Sequence, residues 1–205
     1  MKIKAVVFDY GGVICFPPSV DTETELQRLT GLPAESLSEL NRKYRDGWDR
    51  GTYNGIEYYR HILSSSGIFL DDDSLAGIAL IDMDGWKRIN TGTVQLMYDV
   101  KAAGLTLGIF SNMPLDFFPW VKDNLRIFNE AQAVVISSCY NLVKPETAFF
   151  KVLQEKTACE YGEIIFFDDI SDNVKAARDL GIAAHLWEGA DAARKTVTEQ
   201  IGKNL

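Results

Sequence analysis

Five short apolar runs recur along the chain with helical patterns between them: residues 4–9 (KAVVFD), 105–111 (LTLGIFS), 133–137 (AVVIS), 163–167 (EIIFF) and 183–187 (AAHLW). A short run with little polar alternation suits a strand buried on both faces, which is how strands sit in a parallel sheet. Strands alternating with helices require right-handed crossovers and place ligands beyond the C-terminal strand ends. The pattern at residues 93–103 spaces Val94, Met97, Tyr98 and Lys101 by three and four and stops at Gly104; residues 172–180 repeat the design and stop at Gly181. Both glycines suit the left-handed turn that ends a helix. The expected fold is α/β, a Rossmann-like three-layer core around a parallel sheet.

The stretch between the first two runs departs from this rhythm. Residues 16–89 are helical and polar, too long for a loop without structure of its own, and predict a small inserted helical cap. Helices are expected at 22–30, 34–49, 55–64 and 74–81, joined at Gly31-Leu32-Pro33, residues 51–54 and residues 64–67. The expected division is a core of residues 1–15 and 90–205 and a cap of residues 16–89. Asp71, Asp72 and Asp73 repel one another and are expected in a solvated loop, and His61 and His185 are expected to be ordinary structural residues.

Composition removes several function classes. With 46% hydrophobic and 24% charged residues the chain resembles ordinary globular domains. The balance of 21 Lys and Arg against 29 Asp and Glu, net −8, disfavours nucleic acid and anionic membranes, so a phosphate must be held locally. Cys15, Cys139 and Cys159 are odd in number and lack CxxC spacing, which argues against a disulfide framework or structural zinc. The N-terminal apolar run soon meets Asp9, unlike a secretory leader, and no stretch approaches the ~20 apolar residues of a membrane span. The expectation is a cytoplasmic monomer or homodimer.

Four of the runs deliver a reactive group to the same predicted sheet edge. Asp9 ends the first in FDYGGV, Ser111 the second in FSN, Lys144 follows the third in VKP, and Asp168-Asp169 end the fourth in FFDD. Singly each has an ordinary explanation as a turn, cap or solvated residue. Jointly and in order they suit phosphoryl transfer, which needs charge neutralisation and in-line positioning. Asp9, Asp168 and Asp169 offer oxygen ligands for Mg²⁺, and Lys144 a fixed positive charge. The Ser111 hydroxyl and the Asn112 N–H could hold phosphate oxygens, while Gly11 and Gly12 let the backbone approach closely. Asp9 would attack phosphorus and form an aspartyl-phosphate that water hydrolyses.

The set FDYGGVI, IFSN, VKPE and FFDDISDNVKAA, with a helical insert after the first, resembles the haloacid dehalogenase-like hydrolase superfamily across essentially the whole chain. Within it, the chain is similar to members capped after the first strand, such as sugar-phosphate phosphatases related to α-glucose-1-phosphate phosphatase. The resemblance implies Asp9 as nucleophile, the Gly11 carbonyl and Asp169 as Mg²⁺ ligands, and Asp168 as a further carboxylate of the metal site. It implies Tyr10, Gly11, Ser111, Asn112 and Lys144 around the substrate, Lys144 also acting in catalysis, and Asn173 bracing the loop. The implied substrate is a small phosphorylated metabolite such as a sugar phosphate; in the cap, the run 44–59 (YRDGWDRGTYNGIEYY) concentrates aromatics, Asp and Arg, and offers Asp46, Trp48, Asp49, Arg50, Tyr53 and Glu57 as candidate sugar contacts.

One departure stands out. Phosphatases of this superfamily usually carry a second Asp two residues after the nucleophile, as acid for the leaving group and base for water; here that position is Gly11. Either the leaving group is good, or an acid comes from the cap or solvent, or turnover is lost and a phosphometabolite-binding or regulatory protein remains. A haloacid dehalogenase also lacks the second Asp but needs no Mg²⁺, which leaves the Asp168-Asp169 pair unexplained.

Overall fold

The computed structural model describes residues 2–202 and 205; residues 1, 203 and 204 of the expected core lie outside the described residues. Strands β1 (Ala5–Phe8), β2 (Thr106–Ser111), β3 (Ala133–Ile136), β4 (Ile164–Asp168) and β5 (Ala183–Leu186) form one parallel sheet in the order β3-β2-β1-β4-β5. The chain runs outward from β1 through β2 to β3, then returns to the other side of β1, so the topological switch lies between β1 and β4.

Strand alternation sorts side chains to two faces. Val6, Phe8, Leu107 and Ile109 belong to one apolar cluster with helices α5 (Thr91–Ala102), α6 (Phe118–Asn124), α7 (Arg126–Glu130) and α10 (Ala190–Ile201). Ala5, Val7, Phe110 and Phe166 belong to a second with α8 (Thr147–Thr157) and α9 (Ser171–Asp179).

Between β1 and α5 the chain forms α1 (Val20–Thr30), α2 (Ala34–Asp49), α3 (Gly55–Ser65) and α4 (Asp72–Gly85). These share an apolar cluster of their own that includes Leu37, Trp48, Tyr58, Ile62 and Ile78. The chain leaves and re-enters the core side by side: Phe16 N–H donates to Arg88 O at 2.8 Å and Asn90 N–H to Ile14 O at 2.9 Å.

The acidic triplet is helical rather than a loop. Asp71 caps α4 by accepting from Ser74 N–H at 2.9 Å, and Asp72 and Asp73 fill the first turn, where carboxylates favour the positive end of the helix dipole. His61 stacks on Tyr44, and His185 meets Gln200.

Candidate active site

The C-terminal ends of β2, β1 and β4 lie side by side. The register sets Phe8 against Ile109 and Phe167, and Asp9 N–H donates to Phe167 O at 2.9 Å. Asp9 and Asp168, each one residue beyond that line, therefore emerge together at the switch point. The chain then turns at once, with Cys15 N–H closing on Tyr10 O at 2.9 Å. Inside this turn Gly12 has φ +69°, and a Cβ there would stand 2.2 Å from Asp169 Oδ2, so no larger residue fits. A Cβ on Gly11 would lie 3.2 Å from Trp86 Cζ3; the indole fills the space that a side chain at position 11 would enter.

Asp9, Asp168 and Asp169 bring carboxylate oxygens within 4.8 Å of one another. One ammonium is paired with this group: Lys144 Nζ lies 2.9 Å from Asp9 Oδ1 and 2.6 Å from Asp168 Oδ2, and donates to Phe110 O at 3.0 Å. Burial pushes the Asp9 carboxyl up to about 7; Lys144 pulls against this and Asp168 adds to it. Burial also raises Asp169, reinforced by Asp168. Desolvation works to lower Lys144, but Asp168 and Asp9 outweigh it and hold the ammonium above its ordinary value. Three carboxylates facing one cation, with oxygen donors throughout, suit a hard divalent ion.

The three carboxylates are held differently. Asp168 is fully buried and accepts from Asn173 Nδ2 at 3.0 and 3.1 Å, from Ile170 N–H at 2.8 Å and from Lys144. Asp9 Oδ1 accepts from Tyr10 N–H at 2.6 Å as well as from Lys144, which leaves Oδ2 for chemistry. Asp169 is the exposed member.

Of the other predicted contacts, Tyr10, Gly11 and Asn112 line the cavity beside Asp9, while the side chains of Asn112 and Tyr10 are engaged by the protein itself. The Asn112 side chain clamps the Lys144 backbone, accepting from its N–H at 2.8 Å and donating to its carbonyl at 3.1 Å. Ser111 is buried, with Oγ 3.4 Å from Asn112 O. Tyr10 donates its hydroxyl to Trp86 O at 2.8 Å.

Beside Asp9 and Asp169 lies a cavity of about 220 Å³, walled on the opposite side by α2 and the end of α4. Of the cap residues expected at the substrate, Trp48 and Asp49 line it. Asp46 instead pairs with Arg50, which reaches Glu146; Tyr53 bonds Tyr44 O; Glu57 accepts from Asn54 N–H in the cap of α3. The helical period explains the split, because Arg45, Trp48 and Asp49 share one face of α2 and Asp46 and Arg50 lie around it. Arg45 donates to Asp49 Oδ1 at 2.9 Å and lies over the rings of Trp48 and Trp86. Burial raises the Asp49 carboxyl, opposed by Arg45. Arg45, Asp82, Met83 and Trp86 escaped the sequence reading; the three-and-four spacing from Trp48 was a usable signal for Arg45, whereas α4 shows no sharp apolar stripe.

The chain is similar to several known proteins. Phosphatase MT3486 of Mycobacterium tuberculosis is 26% identical over 98% of this chain and 94% of its own length. Bifunctional epoxide hydrolase 2 of Sus scrofa is 25% identical over the whole chain, which spans 40% of that protein's length. Among solved structures, a HAD family enzyme of Bacteroides thetaiotaomicron, in complex with magnesium and inorganic phosphate, superposes with a TM-score of 0.68 at 20% identity, over 90% of this chain and 93% of its own. The haloacid dehalogenase-like hydrolase family matches residues 3–181, from the strand that delivers Asp9 to the helix that braces Asp168, and the chain belongs to it.

Proposed function

We propose that the protein is a Mg²⁺-dependent phosphatase of a small phosphorylated metabolite, working through a phosphorylated Asp9. The observation that carries this reading is the converging negative charge of Asp9, Asp168 and Asp169 against the single Lys144 ammonium, an excess that a divalent cation would neutralise. Asp9, Asp169 and the Gly11 carbonyl would hold Mg²⁺, with Asp168 behind them; when bound, the ion neutralises phosphate charge. Lys144 and Tyr10 N–H fix Asp9 Oδ1, and Oδ2 forms the bond to phosphorus as the bond to the leaving oxygen breaks. Water then cleaves the acyl phosphate, releasing phosphate and restoring Asp9. Residues 16–89 act as the cap. With no acid at position 11, we assign the leaving-group proton to Asp49, which lines the cavity and has one oxygen outside its bond to Arg45.

A second reading, a phosphometabolite-binding protein without turnover, draws on the same Gly11 and on the indole that fills its side-chain space. Phosphate release from aryl and other phosphomonoesters, with and without Mg²⁺, separates the two. The expected result is Mg²⁺-dependent release that Asp9→Asn abolishes. Release untouched by that substitution overturns the mechanism, and binding of phosphate without release favours the second reading.

A further inference from the structure

The wall that would face the organic half of a substrate is apolar, built from Trp48, Met83, Trp86, Met113, Pro114 and Phe117. Arg45 and Asp49 also line the cavity, bonded to each other through Nε and Oδ1 and keeping their other positions; the remaining polar groups are largely engaged elsewhere. Trp48 Nε1 donates to Asp116 Oδ1 at 2.9 Å, and Trp86 Nε1 to Asp82 Oδ1 at 3.3 Å. Asp82 Oδ2 accepts from Tyr59 at 2.8 Å, Tyr10 gives its hydroxyl to Trp86 O, and both ends of the Asn112 amide hold Lys144. A polyhydroxylated group entering here would shed water from each hydroxyl and find partners only at Arg45 and Asp49, too few for its hydroxyls, an unfavourable exchange. An apolar group would shed water at a gain, against rings whose orientation the same hydrogen bonds already fix.

Resting on the phosphatase reading above, we infer that the substrate's organic half is an apolar hydrocarbon group, aliphatic or aromatic, and not the sugar expected from the aromatic and charged segment 44–59. Of the polar residues of that segment that suggested a sugar, Asp46, Arg50, Tyr53 and Glu57 bond to the protein instead, and Asp49 alone lines the cavity.

The test is equilibrium binding of inorganic phosphate, a straight-chain alkyl phosphonate series and a sugar phosphonate to the full chain with saturating Mg²⁺. Affinity is expected to rise about fourfold per methylene over the first few carbons, with the sugar phosphonate no tighter than inorganic phosphate. Met83→Ser should flatten that rise. A flat alkyl series in the wild type, or a sugar phosphonate binding tighter than its alkyl counterparts, overturns the inference while leaving the phosphatase reading intact. Failure of inorganic phosphate and every phosphonate to bind takes both down.

Discussion

A Cβ at Gly11 would stand 3.2 Å from the Trp86 ring, so the missing second carboxylate cannot simply be written back into the chain. Gly11→Asp crowds the indole, which must give way, straining the bond from Trp86 Nε1 to Asp82. The expected outcome is slower turnover on every substrate, measured as kcat/KM; a faster rate on alkyl phosphates would show that the pocket tolerates the usual acid. Asp49→Asn separates proton donation from mere structure through the leaving group. Rates on alkyl phosphates, whose departing oxygen needs a proton, should fall by up to about 10²–10⁴-fold, whereas aryl phosphates should change little. An equal fall on both would assign Asp49 a structural role.

At the scale of elements, the helical lobe is tied to the core through a few side chains. Asp116, in the loop after β2, accepts from Trp48 Nε1 at 2.9 Å and from Gly55 N–H at 2.7 Å, at the end of α2 and the start of α3. Ser137 donates to Asp49 O, and Arg50 reaches Glu146 and Asn141 O. Removing the Asp116 carboxylate by Asp116→Ala leaves two donors without acceptors. The expected cost is about 1–3 kcal/mol of stability for each group that stays buried, together with a weaker alkyl-chain preference because Trp48 loses its anchor. Chemical denaturation reads the first; an unchanged midpoint would mean that water replaces Asp116. These tethers were illegible in the sequence, because an Asp in a loop sixty residues from its partner carries no local signature.

For the whole molecule, the ionic balance of the site should govern stability. The Asp9 carboxyl is raised from 3.8 to about 7, chiefly by burial. A raised carboxyl favours its protonated form in the folded state, so in metal-free protein its contribution is full below the ordinary value and is lost as pH rises towards 7. On the proposed mechanism Mg²⁺ would bind the ionised form and offset that loss. The stabilisation by a fixed Mg²⁺ concentration should therefore be larger at pH 8 than at pH 6, read as the rise in melting temperature at each pH. Hundredfold saturation over Kd corresponds to about 2.7 kcal/mol. An equal rise at both pH values, or none, would remove Asp9 from the metal site.

The amino-acid sequence by itself determined the parallel α/β core and the gathering of Asp9, Ser111, Lys144 and the Asp168-Asp169 pair at one sheet edge. Each follows from local rules: apolar runs of strand length, helices ended by Gly104 and Gly181, and reactive residues at or just past a strand end, with Lys144 supplied by the loop after β3. Position 12 also had to be glycine, though only the fold revealed why, in the approach of Asp169. What tertiary structure alone decided was which side chains stay available. Asn112 and Tyr10 both line the cavity, but their side-chain polar groups are bonded to Lys144 and Trp86; Arg50 and Tyr53 look like cap contacts and bond to Glu146 and Tyr44. A donor or acceptor already committed to a protein partner has less left to offer a ligand. That competition is settled between residues far apart in the chain, as between Trp86 and Gly11, beyond the reach of any local pattern.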